Sequence, residues 1–137
     1  VIKLKSLKVF AGTGEPQKAE MTLEVFGELK KASETGDGPV DAIFKCIKKL
    51  YPHDVNLQLY NVHAVTEGTD AQATVSIRIE ENGKTTVGQA ANTDTLVASA
   101  DAYLNALNKL IIKRKKTAPE PMDLDGANYI REKDGTI

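Results

Sequence analysis

One succession of patterns occurs twice in this chain, and the two occurrences align at an offset of 56 residues without gaps. In the first half, Ile2 to Ala11 reads as a strand whose alternation shifts between Leu4 and Leu7, which predicts a β-bulge. Gly12 to Pro16 reads as a loop. Ala19, Met21, Leu23 and Val25 then alternate strictly with polar residues, the pattern of a half-buried strand. Glu28 to Glu34 is a weaker, edge-like strand. The sequence GDGP, Gly36 to Pro39, opens a helix with proline near its first position. Val40, Ile43, Phe44, Ile47 and Leu50 follow at helical spacing, and Pro52 ends it.

The second half keeps the order. Val55 to Val65 reads as a strand, and Ala71, Ala73, Val75, Ile77 and Ile79 form another with strict alternation. Asn82-Gly83 is a two-residue hairpin turn. Lys84 to Gln89 gives a third strand. Thr93 or Asp94 caps a long helix through Leu96, Ala100, Tyr103, Leu104, Leu107 and Leu110, ending in the basic run 113–116. Gly27 meets Gly83, Val40 meets Leu96, Ala42 meets Ala98 and Ile47 meets Tyr103. Literal identity is slight, so the repeat is structural. The expected fold is α+β: two βββα units in tandem, each an antiparallel three-stranded sheet backed by a helix. Their seam is a natural ligand site.

A length of 137 residues with 41% apolar content suits one compact domain, expected over residues 1–116. Residues 117–137 hold Pro119, Pro121, many charges and no helical period, and read as a flexible tail. A net charge of −1 offers no broad basic field for nucleic acid. No apolar run approaches the ~20 residues that span a bilayer, and the alternating start predicts no signal peptide. A single cysteine, Cys46, excludes an internal disulfide framework. It falls in the apolar helical pattern, as a buried, inert thiol would, and a cytoplasmic setting is expected.

Catalytic groups are sparse. His53 and His63 lack metal-ligand spacing to a cysteine or to each other, so solvated or hydrogen-bonded histidines are expected and no metal site. No nucleophile elbow, zinc-protease or phosphate-loop motif occurs. Asp37 and Asp41 lie four apart, but Asp37 stands where a helix cap would be. What remains are two glycine-marked stretches before helices, at 36–39 and 88–94. Free backbone N–H groups at a helix start favour an anion, and an apolar pocket beside them would suit an amino acid.

Three stretches carry a resemblance. GDGPVDAIFKCIKKL at 36–50 resembles the G-[ND]-G-P-x-D-A helix start of the regulatory domain of 2-isopropylmalate synthases. The stretch 54–77, with its tyrosine-containing strand, variable turn and D-A-Q, resembles the segment that follows. The stretch 87–110 resembles the family's G-x-G-x-x-x-D-x-x-x-A-S helix start, with Ala90 in place of the second glycine. The match covers roughly residues 1–112 in order and spacing.

The resemblance implies a homodimer and feedback inhibition by a pathway end product. The effector is L-leucine in 2-isopropylmalate synthase and can be L-isoleucine in the related citramalate synthase. It also implies an effector between the two units. Position by position, Asp37, Gly38, Val40 and Asp41 would line it from the first helix start. Leu57, Tyr60 and Ala64 would come from the following strand, Ala71 and Ala73 from the next, and Ala91, Asn92 and Thr93 from the second loop. Leu57 and Tyr60 have opposite parity on an ideal strand, so a bulge or an edge position is required for both to reach one pocket. The alanines at 64, 71 and 73 would leave room for a branched side chain. Backbone N–H groups at the helix starts would hold the carboxylate, and Asp37, Asp41 or nearby carbonyls the ammonium.

The family's catalytic part is a metal-dependent TIM barrel that condenses acetyl-CoA with 2-oxoisovalerate. Neither a barrel nor its metal-binding histidines can be read in these residues. The expectation is a sensor without catalytic residues or cofactor, its divalent metal belonging to the barrel. The other readings are an isoleucine-sensing domain of citramalate synthase, a dimerisation module with no live effector site, and a small stand-alone enzyme.

Overall fold

A computed structural model describes residues 1–64 and 72–117. The elements are β1 (Ile2–Phe10), β2 (Gln17–Val25), β3 (Glu28–Gly36), α1 (Pro39–Leu50), β4 (Asn56–Ala64), β5 (Ala73–Glu81), β6 (Lys84–Asn92) and α2 (Thr95–Thr117). They form two antiparallel three-stranded sheets, ordered β1-β2-β3 and β4-β5-β6, each followed by its helix. The α+β tandem expected from the repeat is what the chain adopts. The tail expected at 117–137 lies, from residue 118 on, outside the described residues.

Alternation decides the inner faces. Ala19, Met21, Leu23 and Val25 on β2 are buried, as are Val75, Ile77 and Ile79 on β5. Ala42, Ile43, Cys46, Ile47 and Leu50 turn the apolar stripe of α1 onto β2 and β3. α2 packs on β5 and β6 and reaches β1, so one core runs through both units. There Asn108 clasps Ile2, accepting from its N–H at 2.8 Å and donating to its carbonyl at 2.9 Å. Arg114 near the end of α2 pairs with Glu81 and donates to the Tyr51 hydroxyl at 3.3 Å, tying the end of the first unit to the second.

Both parity shifts correspond to bulges. Between β1 and β2 the register shifts at Leu4/Ser6, and between β4 and β5 at Leu57/Leu59. The extra residues, Lys5 and Gln58, leave Leu4 with Leu7, and Leu57 with Tyr60, on the inner faces. The gapless offset of 56 holds for β2 with β5, β3 with β6 and the starts of the two helices. It fails for the first strands. Leu4 and Leu57 oppose Leu23 and Ile79, an offset of 53, because three more residues separate the paired His63 and Thr74 than separate the equivalent pair Phe10 and Lys18.

Both third strands are longer than their sequence pattern predicts. β6 continues to Asn92, so the stretch 88–94 is mostly strand, with a turn only at Thr93-Asp94. Gly88 is there for packing. A Cβ at that position would lie 2.1 Å from the Ala102 carbonyl oxygen and 2.4 Å from the Ala106 nitrogen. β3 likewise runs to Gly36, where a Cβ would meet the Ala42 nitrogen at 2.5 Å. Each glycine lets a helix lie against a strand, and neither makes a turn.

Candidate functional site

The start of α1 is built from the GDGP sequence. Gly38 is the cap residue and makes no side-chain cap bond, and Pro39 opens the helix. Asp37 is exposed and does not cap through its side chain. Its N–H donates at 2.9 Å to Oδ2 of Asp41, which reaches back from the first turn. Asp41 also pairs with Lys45 at 3.0 Å. The Asp37 N–H, and then Lys45, hold the Asp41 carboxyl below the ordinary carboxylate value. Val40 is half-buried, and Phe44 lies one turn further along the same face.

The start of α2 is capped differently. Asp94, rather than Thr93, accepts from the N–H groups of Leu96 at 2.9 Å and Val97 at 3.4 Å. Asn92 Oδ1 accepts from the Asp94 N–H at 2.8 Å, fixing the turn. Thr93 is exposed.

Between these helix starts runs the inner face of β4. Tyr60 opposes Ile77, and its ring meets that of Phe44 edge-on at 6.1 Å. Its hydroxyl lies 2.7 Å from the Ser99 Oγ, which donates in turn to the Thr95 carbonyl at 2.8 Å. Leu57 and Val62 share this face and stay 46% and 41% exposed, because among the described residues neither helix packs broadly on β4. The face is therefore an open apolar strip. Ala73 is half-buried and opposes both Ala64 and Asn92. Ala71 lies outside the described residues. Ala91 opposes Thr74 and is exposed on the other side of the sheet, while Ala90 occupies the inner face opposite Val75. The structure thus aligns Leu57, Tyr60, Ala73 and Asn92 on one face of the sheet, with Val40 on the α1 face that carries Phe44, and places Ala91 on the opposite face.

Phe44 and Ser99 join this strip without having been singled out. Phe44 reads as an ordinary core position of α1. Ser99 stands in the A-S pair of the last motif, the one signal that could have found it. A separate cavity of about 410 Å³ lies on the outer face of the first sheet, lined by Ser6, Lys8, Glu20, Thr22, Lys31 and Ser33. Its charged walls do not suit an aliphatic guest.

Behind the strip, Phe44 packs on Tyr103 at 4.6 Å between ring centroids, and Tyr103 meets His53. The Tyr51 carbonyl lies 2.6 Å from His53 Nδ1 and can only accept, so Nδ1 carries the proton. Nε2 then accepts from the Tyr103 hydroxyl at 2.7 Å. Burial drives the Tyr103 hydroxyl up to about 12. It pushes His53 below the ordinary histidine value, helped by Lys48 and Arg114 and opposed by the Tyr51 carbonyl and Glu81. Unfolding releases His53 to its ordinary pKa of about 6.5, so below that pH the unfolded chain binds the extra proton. This contribution to stability is complete above about pH 6.5 and falls as the pH drops towards the lowered folded value. Urea midpoints at pH 7.5 and 5.5 should show that loss, and His53→Phe should shrink it. The lowered carboxyls of Asp41, Glu80 and Glu81 lose their contributions only at more acid pH.

Among the described residues no group of three or more His, Cys, Asp or Glu side chains could hold a metal ion, and no helix is long and apolar enough to cross a membrane. Cys46 is fully buried, its Sγ 3.2 Å from the Ala19 carbonyl, and burial raises its thiol pKa.

The profile of the LeuA allosteric (dimerisation) domain matches residues 1–111. The chain belongs to this family. Similar proteins include one named 2-isopropylmalate synthase from Caulobacter sp. (strain K31), 58% identical over 119 residues, which are 87% of this chain and 22% of the relative. Another of that name, from Bradyrhizobium diazoefficiens, is 58% identical over 84% of this chain and 22% of its own length. A third, from Bradyrhizobium sp. (strain BTAi1), is 59% identical over 84% of this chain and 22% of its own length. The LeuA domain described here thus spans about a fifth of the relatives it matches.

Proposed function

We propose that this LeuA domain is the leucine-sensing, dimerising part of a 2-isopropylmalate synthase. Leucine binding here inhibits condensation of acetyl-CoA with 2-oxoisovalerate, carried out by a metal-dependent barrel elsewhere in the same cytoplasmic enzyme. The observation that carries this reading is the bulge at Gln58. It turns Leu57 and Tyr60 to one side, making an apolar strip between two helix starts. The start of α1 is the better carboxylate site, because its cap is a glycine without a side-chain bond, whereas Asp94 already occupies the start of α2. Asp37, exposed beside it, receives the ammonium group. The leucine side chain lies along Tyr60 and towards Ala73. The names of the relatives favour leucine over isoleucine.

A second copy supplies the missing cover. Leu57 and Val62 are 46% and 41% exposed on the inner face of β4, an edge strand of its sheet. Sedimentation at tens of micromolar should give the mass of two chains. Since leucine binds only the folded state, the melting temperature should climb steadily with leucine concentration. A one-chain mass and an unmoved melting temperature would remove this reading.

A further inference from the structure

β6 is an edge strand, and its free side is not bare. The closing pair of the two-residue hairpin is Glu81 with Lys84. Pairing then alternates, so Thr85, Val87 and Gln89 point their backbone groups away from β5. An exposed row of that kind is a template on which another strand can add. Here α2 reaches over it. Asn105 Nδ2 donates to the Gln89 carbonyl at 2.8 Å, Lys109 Nζ to the Val87 carbonyl at 2.7 Å and Lys113 Nζ to the Thr85 carbonyl at 2.8 Å.

The spacing makes this ladder possible. Residues four apart on a helix advance about 6 Å, and residues two apart on a strand advance about 6.6 Å. Running opposite ways, helix and strand stay in step for three rungs, and the long lysine stems absorb the remainder. Gly88 permits the approach, since a side chain there would collide with Ala102 and Ala106. Thr86 Oγ1 secures it by donating to the Ala106 carbonyl at 2.8 Å.

Among the described residues, the first unit shows no such ladder. Ala32 stands where Gly88 stands in the repeat, α1 ends at Leu50, and Lys49, the counterpart of Asn105, pairs with the Glu34 carboxylate at 3.1 Å. The 23 residues of α2, against 12 in α1, provide the second and third rungs.

We propose that Asn105, Lys109 and Lys113 act as a substitute fourth strand that closes the β6 edge against strand addition by a second copy of this chain. The occupant they exclude is another β6. Val87 and Ile112, 38% and 47% exposed along this edge, would be covered by such pairing. Two β6 strands meeting antiparallel form a closed two-fold contact, so removing the ladder should multiply the native assembly by about two.

Sedimentation velocity at tens of micromolar tests this on five chains. One is native. One carries Asn105→Ala, Lys109→Ala and Lys113→Ala. One carries Lys3→Thr and Lys30→Thr, which removes the same charge from exposed positions elsewhere. One carries Lys109→Arg and Lys113→Arg, which keeps the donors. The triple variant should show a concentration-dependent species of about twice the native mass, with the other two variants matching the native chain. Lys109→Ala alone, which removes one exposed rung and leaves the core intact, should show the same species in smaller amount. Native mass in both Lys109→Ala and the triple variant, or an equal rise in the charge-matched control, would overturn the proposal.

Discussion

Tyr60→Ala should weaken leucine binding by more than about 1 kcal/mol, a loss of fivefold or more in affinity. The ring is the aromatic surface that β4 itself contributes to the strip among the described residues, met edge-on by Phe44 and anchored through its hydroxyl to Ser99. Truncation strips the ring from the face proposed to hold leucine and leaves the Ser99 hydroxyl without that partner. Tyr60→Phe separates the two effects, because it keeps the ring and deletes the hydrogen bond. Calorimetry on the folded variants should rank native first, Tyr60→Phe next and Tyr60→Ala last. Equal affinities in all three would take Tyr60 out of the site.

Gly88→Val should destabilise the domain by about 3 kcal/mol, the upper end of what overpacking costs. The first added carbon already falls 2.1 Å from the Ala102 carbonyl oxygen and 2.4 Å from the Ala106 nitrogen. Both atoms belong to the backbone of α2, so no side-chain rotation relieves the clash. The helix must move off β6, loosening the Thr86 bond and the Asn105–Lys109–Lys113 ladder together. Urea denaturation measures the loss. Gly38→Ala is the control, because a Cβ there meets nothing within 4 Å. Equal midpoints for the two variants would contradict the close-packing role.

Periodicity made most of this architecture legible. Strict alternation on β2 and β5 marks the central strands, and the parity break between Leu57 and Tyr60 calls for a bulge or an edge position; the register contains the bulge, on a strand that is also an edge. Periodicity could not say what a glycine is for. Gly88 sits where a loop glycine would sit, and its reason for being there, the backbone of α2, is more than ten residues away. Taking Gly88 for a loop glycine ends β6 early and puts Ala91 in the loop, whereas Ala91 lies on β6 and faces outward. The capping chemistry was half legible. An aspartate before each helix suggested two similar starts. Yet Asp94 caps α2 directly, while Asp37 offers its N–H to Asp41 and leaves α1 with a glycine cap. The side chains around Tyr60 come from α1, β4 and α2, and no local pattern joins Phe44 to Ser99.

A leucine sensor must recognise the length of the side chain as well as its charge pair. Valine is one methylene shorter, and a missing methylene in an apolar site costs about 1–3 kcal/mol, or roughly 10- to 200-fold. Isoleucine has the carbon count of leucine but branches at Cβ, so it reports shape. Calorimetric titration of the native chain with the three amino acids in turn is the most direct test. Leucine should bind at least about tenfold more tightly than valine, and more tightly than isoleucine. Isoleucine ahead of leucine, or no heat from any of the three, would contradict the account.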